Sequence, residues 1–345
     1  MKRFLIYMAL AAATAISICS CSEEKRKKAL LPNISGKAGE VIVVINKGDW
    51  EGAVGAVLRD TLACECPFLP QKEPLYTLVE VAPGGFSNIF QIHRNIIIVN
   101  ISKDVTEPGV VFRNNVWAAP QCVIRINAAD SETAVKLIKE NSPKIAGVLE
   151  EAERDRVIIN AKRYEEQSLA PVVTQMIGGS PHFPSGYKLK KKTDDFIWIT
   201  YDTEFTTQSI LIYKYPVTKG TDMMAKENII KTNEMVLKDN VPGMFENTFM
   251  TISSFAKPSV KYIRYKGREF AEMRGLWEVH NDYMGGPFVT HVFYSPDGKY
   301  MIGLEAFVYA PKYDKRHYLR QVESIIYSFE WADGGKGAKE TDKKD

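Results

Sequence analysis

The chain has 345 residues, 45% of them hydrophobic and 25% charged, the proportions of a folded globular protein. Lys and Arg number 45 against 42 Asp and Glu, a formal net charge of +3, which leaves no electrostatic footprint for nucleic acid. The length exceeds one typical hydrophobic core and predicts two domains.

Residues 1–20 read as an export signal. Lys2 and Arg3 precede an apolar run from Phe4 to Ile18, shorter than the ~20 residues a membrane-crossing helix needs. Ile18, Ser20 and Cys21 then resemble the bacterial lipobox, in which the cysteine is acylated and becomes the new N-terminus. That resemblance implies loss of Lys2 and Arg3, which lowers the charge from +3 to +1. It also implies a stable contact with membrane lipid, since two or more acyl chains such as palmitate hold where one does not. The expected address is the cell envelope, at the outer membrane. Ser22-Glu23-Glu24 resemble the surface-export signal of Bacteroidetes lipoproteins, but Lys25-Arg26-Lys27-Lys28 follow where that signal stays acidic. The periplasmic and surface faces both stay open, and residues 21–36 read more simply as a solvated tether.

The first domain is expected over residues 37–167. Gly39–Asn46 is a β-branched run and predicts a buried strand, after which Asp49 is placed to N-cap a helix from Trp50 to Leu62. Gly48, Gly52 and Gly55 invite comparison with phosphate-binding loops. No Lys-Ser/Thr follows and the G-x-G-x-x-G spacing is absent, so no cofactor is expected; the glycines predict a helix packed closely on the sheet. Leu75–Val81 predicts a strand, Phe86–Arg94 a strand or short helix, and Asn95–Ile101 a central strand buried on both faces. Trp117–Ile126 predicts another strand. Asp130-Ser131 should cap a helix ending near Asn141, and Ser142-Pro143 should start a second one reaching Gln167. Cys64 and Cys66 are too close for an easy mutual disulfide, but either could pair with Cys122; buried thiols are the simpler reading. With no second pair at zinc-site spacing, no metal is expected.

Pro171, Gly178-Gly179 and Pro181 predict a linker over 168–182. The second domain, 183–331, then shows strands at Phe196–Tyr201 and Ser209–Tyr215, a helix from Thr221 to Leu237, and a β-rich tract from Phe249 to Val308. Ser295-Pro-Asp-Gly-Lys299 is a hairpin turn, and Lys315–Tyr327 an amphipathic helix with Tyr318, Val322, Ile325 and Ile326 on one stripe. Residues 332–345, rich in Gly and Lys, are expected to be disordered. The fold class is α/β to α+β: an N-terminal strand–helix domain and a C-terminal, mostly antiparallel sheet closed by a C-terminal helix. Leu69-Pro-Gln-Lys-Glu-Pro74, His93-Arg-Asn-Ile-Ile97, Arg274-Gly-Leu-Trp277 and Asp282–Phe288 resemble an uncharacterised Bacteroidetes lipoprotein family, domain of unknown function 4837. The resemblance covers about residues 21–331 and implies location without chemistry.

Neither H-E-x-x-H nor G-x-S-x-G occurs. The tract Arg274–Phe288 gathers the best candidates. In a strand Glu278 and His280 share one face and, joined by Asp282, could serve acid–base chemistry. Arg274, Trp277 and Asn281, with His93 and Arg94 elsewhere, are candidate ligand-binding residues. The simpler reading is a well-capped hairpin: Trp277 in the core, Asn281-Asp282 in the turn, and Gly285-Gly286 supplying positive φ. Two functions follow: non-catalytic binding or assembly with an envelope protein or glycan, or an envelope hydrolase using Glu278, His280 and Asp282.

Overall fold

The computed structural model describes residues 31–332. The signal segment 1–20, the expected lipidation site Cys21, the first part of the tether and nearly all of the 332–345 tail lie outside the described residues. The chain divides into two compact units: one runs up to Cys64 and includes Pro74–Ala152, the other comprises Glu65–Glu73 and the chain from Glu153 onward.

In the first unit, β1 (Glu40–Val44) is followed by α1 (Lys47–Glu51), α2 (Ala53–Leu62), β2 (Thr77–Val81), α3 (Asn88–Gln91), β3 (Asn95–Ile101), β4 (Gly109–Asn114) and β5 (Cys122–Ala128). Helix α4 (Ser131–Arg163) comes next, and the division at Ala152 falls within it. The sheet order is β2-β1-β3-β5-β4, parallel except for β4, so β3 is central as its apolar run predicts. Val54, Leu58 and Leu62 of α2 and Ala134, Ile138 and Leu149 of α4 cover one face, while Phe86, Phe90 and Trp117 pack against the other.

Two expectations fail here for local reasons. The single helix from Trp50 is two, broken at extended Gly52, and Asp49 lies inside α1 with its Oδ1 accepting from Ser131 Oγ at 2.9 Å. Gly55 serves that break: a Cβ there would lie 1.9 Å from Trp50 O. The expected stop at Asn141 does not occur either, and Pro143 sits within α4. Ser142 Oγ donates to Lys139 O at 3.0 Å, the carbonyl that the missing Pro143 N–H would have served.

In the second unit the segment expected as a linker forms α5 (Leu169–Ile177), with Leu169, Val173, Met176 and Ile177 buried. Pro171 falls in its first turn, where no intrahelical N–H is used, and Gly178, at φ +81°, closes it in the left-handed conformation. There follow β6 (Gly179–Ser180), β7 (Lys188–Lys192), β8 (Phe196–Asp202), β9 (Thr207–Pro216), α6 (Lys226–Asn240), β10 (Met250–Ile252), β11 (Ser259–Tyr265), β12 (Arg268–Val279), β13 (Gly285–Tyr294), β14 (Tyr300–Tyr309), α7 (Arg316–Tyr327) and β15 (Glu330–Trp331). The eight-stranded antiparallel sheet runs β10-β12-β13-β14-β9-β8-β7, with β11 also on β12. Helices α5 and α7 cover one face, with Leu319, Val322, Ile325 and Ile326 buried there; α6 covers the other through Ile229 and Leu237. Each such side chain contributes roughly 1.5–3 kcal/mol on full burial. Glu65–Glu73 joins this unit because the Glu73 carboxylate accepts from the backbone N–H groups of Lys315 (2.6 Å) and Arg316 (3.0 Å), capping α7.

Candidate functional site

The β12–β13 hairpin sets the geometry of the candidate tract. Val279 N–H donates to Met284 O at 2.9 Å, and Asn281 takes φ +61°, so the left-handed residue of the turn is Asn281. Gly285 and Gly286 begin β13 without positive φ, contrary to expectation. Gly286 is needed for space instead: a Cβ would lie 2.1 Å from Val308 O. Trp277 is buried edge-on against Phe307, ring centroids 5.2 Å apart, and its Nε1 donates to Val308 O at 3.3 Å.

Beside this turn lies a cavity of about 910 Å³, lined by Trp277, Glu278, His280, Asn281 and Asp282 among others. The three proposed acid–base residues therefore share one cavity, but each is engaged separately. Glu278 Oε2 accepts from Ser253 Oγ (2.7 Å) and its Oε1 from Ser254 N–H (3.3 Å), so both oxygens hold the turn after β10. His280 stacks on Phe249, centroids 4.9 Å apart at 23°, over which Lys238 Nζ also sits at 5.3 Å. Asp282 Oδ1 accepts from the Tyr283 N–H at 2.6 Å. No ion pair within 4 Å joins these three among the described residues. The cavity mouth carries two aromatic rings, Phe255 (90% exposed) and Tyr283 (fully exposed), which periodicity did not single out because they face solvent from loops. Lys315 lines it too; its Nζ is held by Gln71 Oε1 (2.6 Å) and Tyr313 O (3.1 Å), and burial lowers its ammonium pKa against the pull of Glu73.

Arg274 lies elsewhere. Its Nε meets Glu272 Oε1 at 2.7 Å and its two terminal nitrogens fork onto Glu323, at 3.2 and 2.5 Å. Tyr327 OH donates to Glu272 Oε2 (2.7 Å), buried His291 approaches the same oxygen at 3.5 Å, and Arg154 reaches Glu323 at 3.5 Å. Burial pushes Glu272 up, but His291 and Arg274 outweigh it and hold the carboxyl far below its usual range. Burial brings His291 down to about 4 against the pull of Glu272. Both carboxylates of the network are paired and it lines no cavity with the turn residues, so Arg274 braces α7 on the sheet.

His93 and Arg94 belong to the first unit. His93 is buried, with Nδ1 3.1 Å from Asn95 O and Nε2 3.6 Å from Glu40. It also packs on Gly36 (φ +87°), where any Cβ would strike the ring at 2.0 Å. Arg94 N–H donates to Ser35 O at 3.1 Å. These two residues fasten the start of the described chain to β3. Cys64 is exposed, Cys66 half-buried and Cys122 buried, and all three are thiols. Among the described residues no group of three or more His, Cys, Asp or Glu side chains is arranged to hold a metal, and no helix is long and apolar enough to cross a membrane.

Residues 166–328 match a domain of unknown function, DUF4837, and residues 34–162 match another, DUF8532. The first match is narrower than the resemblance over 21–331 implied, because the strand–helix unit corresponds to a separate domain. No curated protein matches the chain. The chain therefore carries a domain of the DUF4837 family over residues 166–328, the antiparallel sheet and its helices, preceded by a DUF8532 domain.

Proposed function

We propose that this is a lipid-anchored cell-envelope protein, held at the outer membrane through acylated Cys21, whose C-terminal domain binds an envelope protein or glycan without transforming it. One observation carries the binding reading: both oxygens of Glu278 are taken up by Ser253 and Ser254, while Phe255 and Tyr283 stand exposed at the mouth of the same cavity. Exposed rings around a concave site with polar groups suit recognition by stacking and hydrogen bonding. The anchor rests on the lipobox-like Ile18–Cys21.

Affinity capture of the natively lipidated protein from its envelope tests the binding reading. Partners recovered with wild type should be lost from Phe255→Ala/Tyr283→Ala and kept by His280→Ala; equal recovery from the double variant would sink it. Cys21→Ala should release the protein from membranes, and continued retention would refute the anchor.

A hydrolase is the second reading, favoured by the shared cavity of Glu278, His280 and Asp282. It requires that purified envelope glycan be cleaved by wild type and not by His280→Ala or Glu278→Gln.

A further inference from the structure

A second cavity, of about 600 Å³, lies in the C-terminal unit between the β11–β12 turn, the last turns of α4 and the segment after α7. It lies at the other end of β12 from the 277–286 turn and shares no lining residue with the first cavity, and its chemistry is cationic. Lys162, Lys266 and Arg268 line it against one acid, Glu330. Lys162 Nζ pairs with Glu330 at 2.5 Å and Lys266 Nζ with Asp155 at 3.3 Å, and both lysines stay substantially exposed.

Arg268 has no such counter-charge. Its guanidinium lies 4.9–5.0 Å from the ring centroids of Phe270, Phe293 and Phe329. Nη2 makes one hydrogen bond, to Ile326 O at 3.3 Å, and Nη1 is buried with no partner. No carboxylate lies within 4 Å of it among the described residues. Burial lowers its pKa to about 10, against the pull of Tyr327 and Tyr265. Tyr265 OH is also buried in the same cavity, with the Lys266 ammonium beside it and no acceptor for its proton. Buried cations and donors are normally paired, because leaving them bare costs the desolvation of each group. Rings of Tyr265, Tyr327, Phe329 and Trp331 form the remaining walls.

We propose that this cavity binds a small organic oxyanion with a flat apolar body, its carboxylate or phosphate group meeting Arg268, Lys266 and Lys162 while the body lies against Trp331 and Tyr265. The oxyanion supplies the counter-charge that Arg268 lacks, and a guanidinium is the donor suited to it.

Titration calorimetry on the full-length protein in detergent, with phenyl phosphate, benzoate, inorganic phosphate and uncharged benzyl alcohol, tests the assignment. Phenyl phosphate or benzoate should bind and benzyl alcohol should not, with the tighter of the two anions identifying the head group. Arg268→Gln should weaken binding about tenfold or more, the loss expected for a charge-assisted hydrogen bond. Because Arg268 packs among core rings, the surface variant Lys162→Gln/Lys266→Gln provides a second test and should weaken binding in the same direction. Three results would overturn the proposal: no binding of either aromatic anion up to about 10 mM, affinity unchanged in both variants, or inorganic phosphate binding as tightly as phenyl phosphate.

Discussion

Two buried glutamates of one sheet behave oppositely. Glu272 on β12 faces α7 and meets Arg274, Tyr327 and His291; Glu305 on β14 faces α6 and meets only neutral groups, Asn233 Nδ2 and Thr290 Oγ1. Both are nearly inaccessible. The first is held ionised by its cation, whereas burial raises the second to about 7 despite those two hydrogen bonds. Glu305 Oε1 and Asn233 Oδ1 are also left without partners. Residue type does not decide charge in this core; the nearest cation does. Neither glutamate borders the cavity beside the 277–286 turn, whose own acids are Asp282 and the half-exposed Glu278, each bonded within a turn. Perturbed titration here marks structure.

The comparison breaks most sharply at Arg274. Arg274→Met leaves Glu272 and Glu323 without their shared cation, and denaturant unfolding should show a loss of about 3–5 kcal/mol. Next come two opposed pH slopes. Glu305 binds its proton more tightly folded than unfolded, so its contribution is present below pH 4.5 and is lost as pH rises to about 7, roughly 3 kcal/mol in all. His291 has a folded pKa of about 4 against 6.5, so stability rises with pH across that window by a similar roughly 3 kcal/mol. The two largely cancel between pH 4.5 and 6.5. Glu305→Gln should expose the rise and His291→Met the fall, read as unfolding free energy against pH; coincident profiles for both variants and wild type would refute the assignment of charge states. The smallest effect on stability belongs to the cavity mouth. Phe255→Ala and Tyr283→Ala should shift it by less than about 0.5 kcal/mol, because both rings face solvent.

Much of the fold was legible locally. Asn95–Ile101 declares a central strand by the β-branched run Ile96–Val99, and Ser295–Lys299 its turn through Gly298 at φ +67° and Ser295 Oγ on Asp297 at 2.7 Å. Punctuation misled where a neighbour supplied what it removes. Pro143 continues a helix because Ser142 serves the orphaned carbonyl, and 168–182 is a packed helix because Pro171 falls where no N–H is needed. The site was half legible: the 277–282 tract does line a cavity, but Arg274, four residues before Glu278 on the same strand face, reaches α7 instead. Glu305 carried a usable signal, a single acid inside the apolar strand Tyr300–Tyr309, whereas Glu272 shares β12 with Glu269 and Glu278 and did not stand out.

By itself the sequence determined what depends on neighbours along the chain: the strand runs, the amphipathic stripe of α7, the hairpin turns, and the lipobox-like pattern ending in Cys21. Only the tertiary structure decided which glutamate keeps its charge, that Glu278 is spent on Ser253 and Ser254, and that Arg268 lies among rings without a carboxylate. Those outcomes turn on distances of 3–5 Å between groups far apart in sequence, and both pairing and desolvation are fixed only when such groups meet.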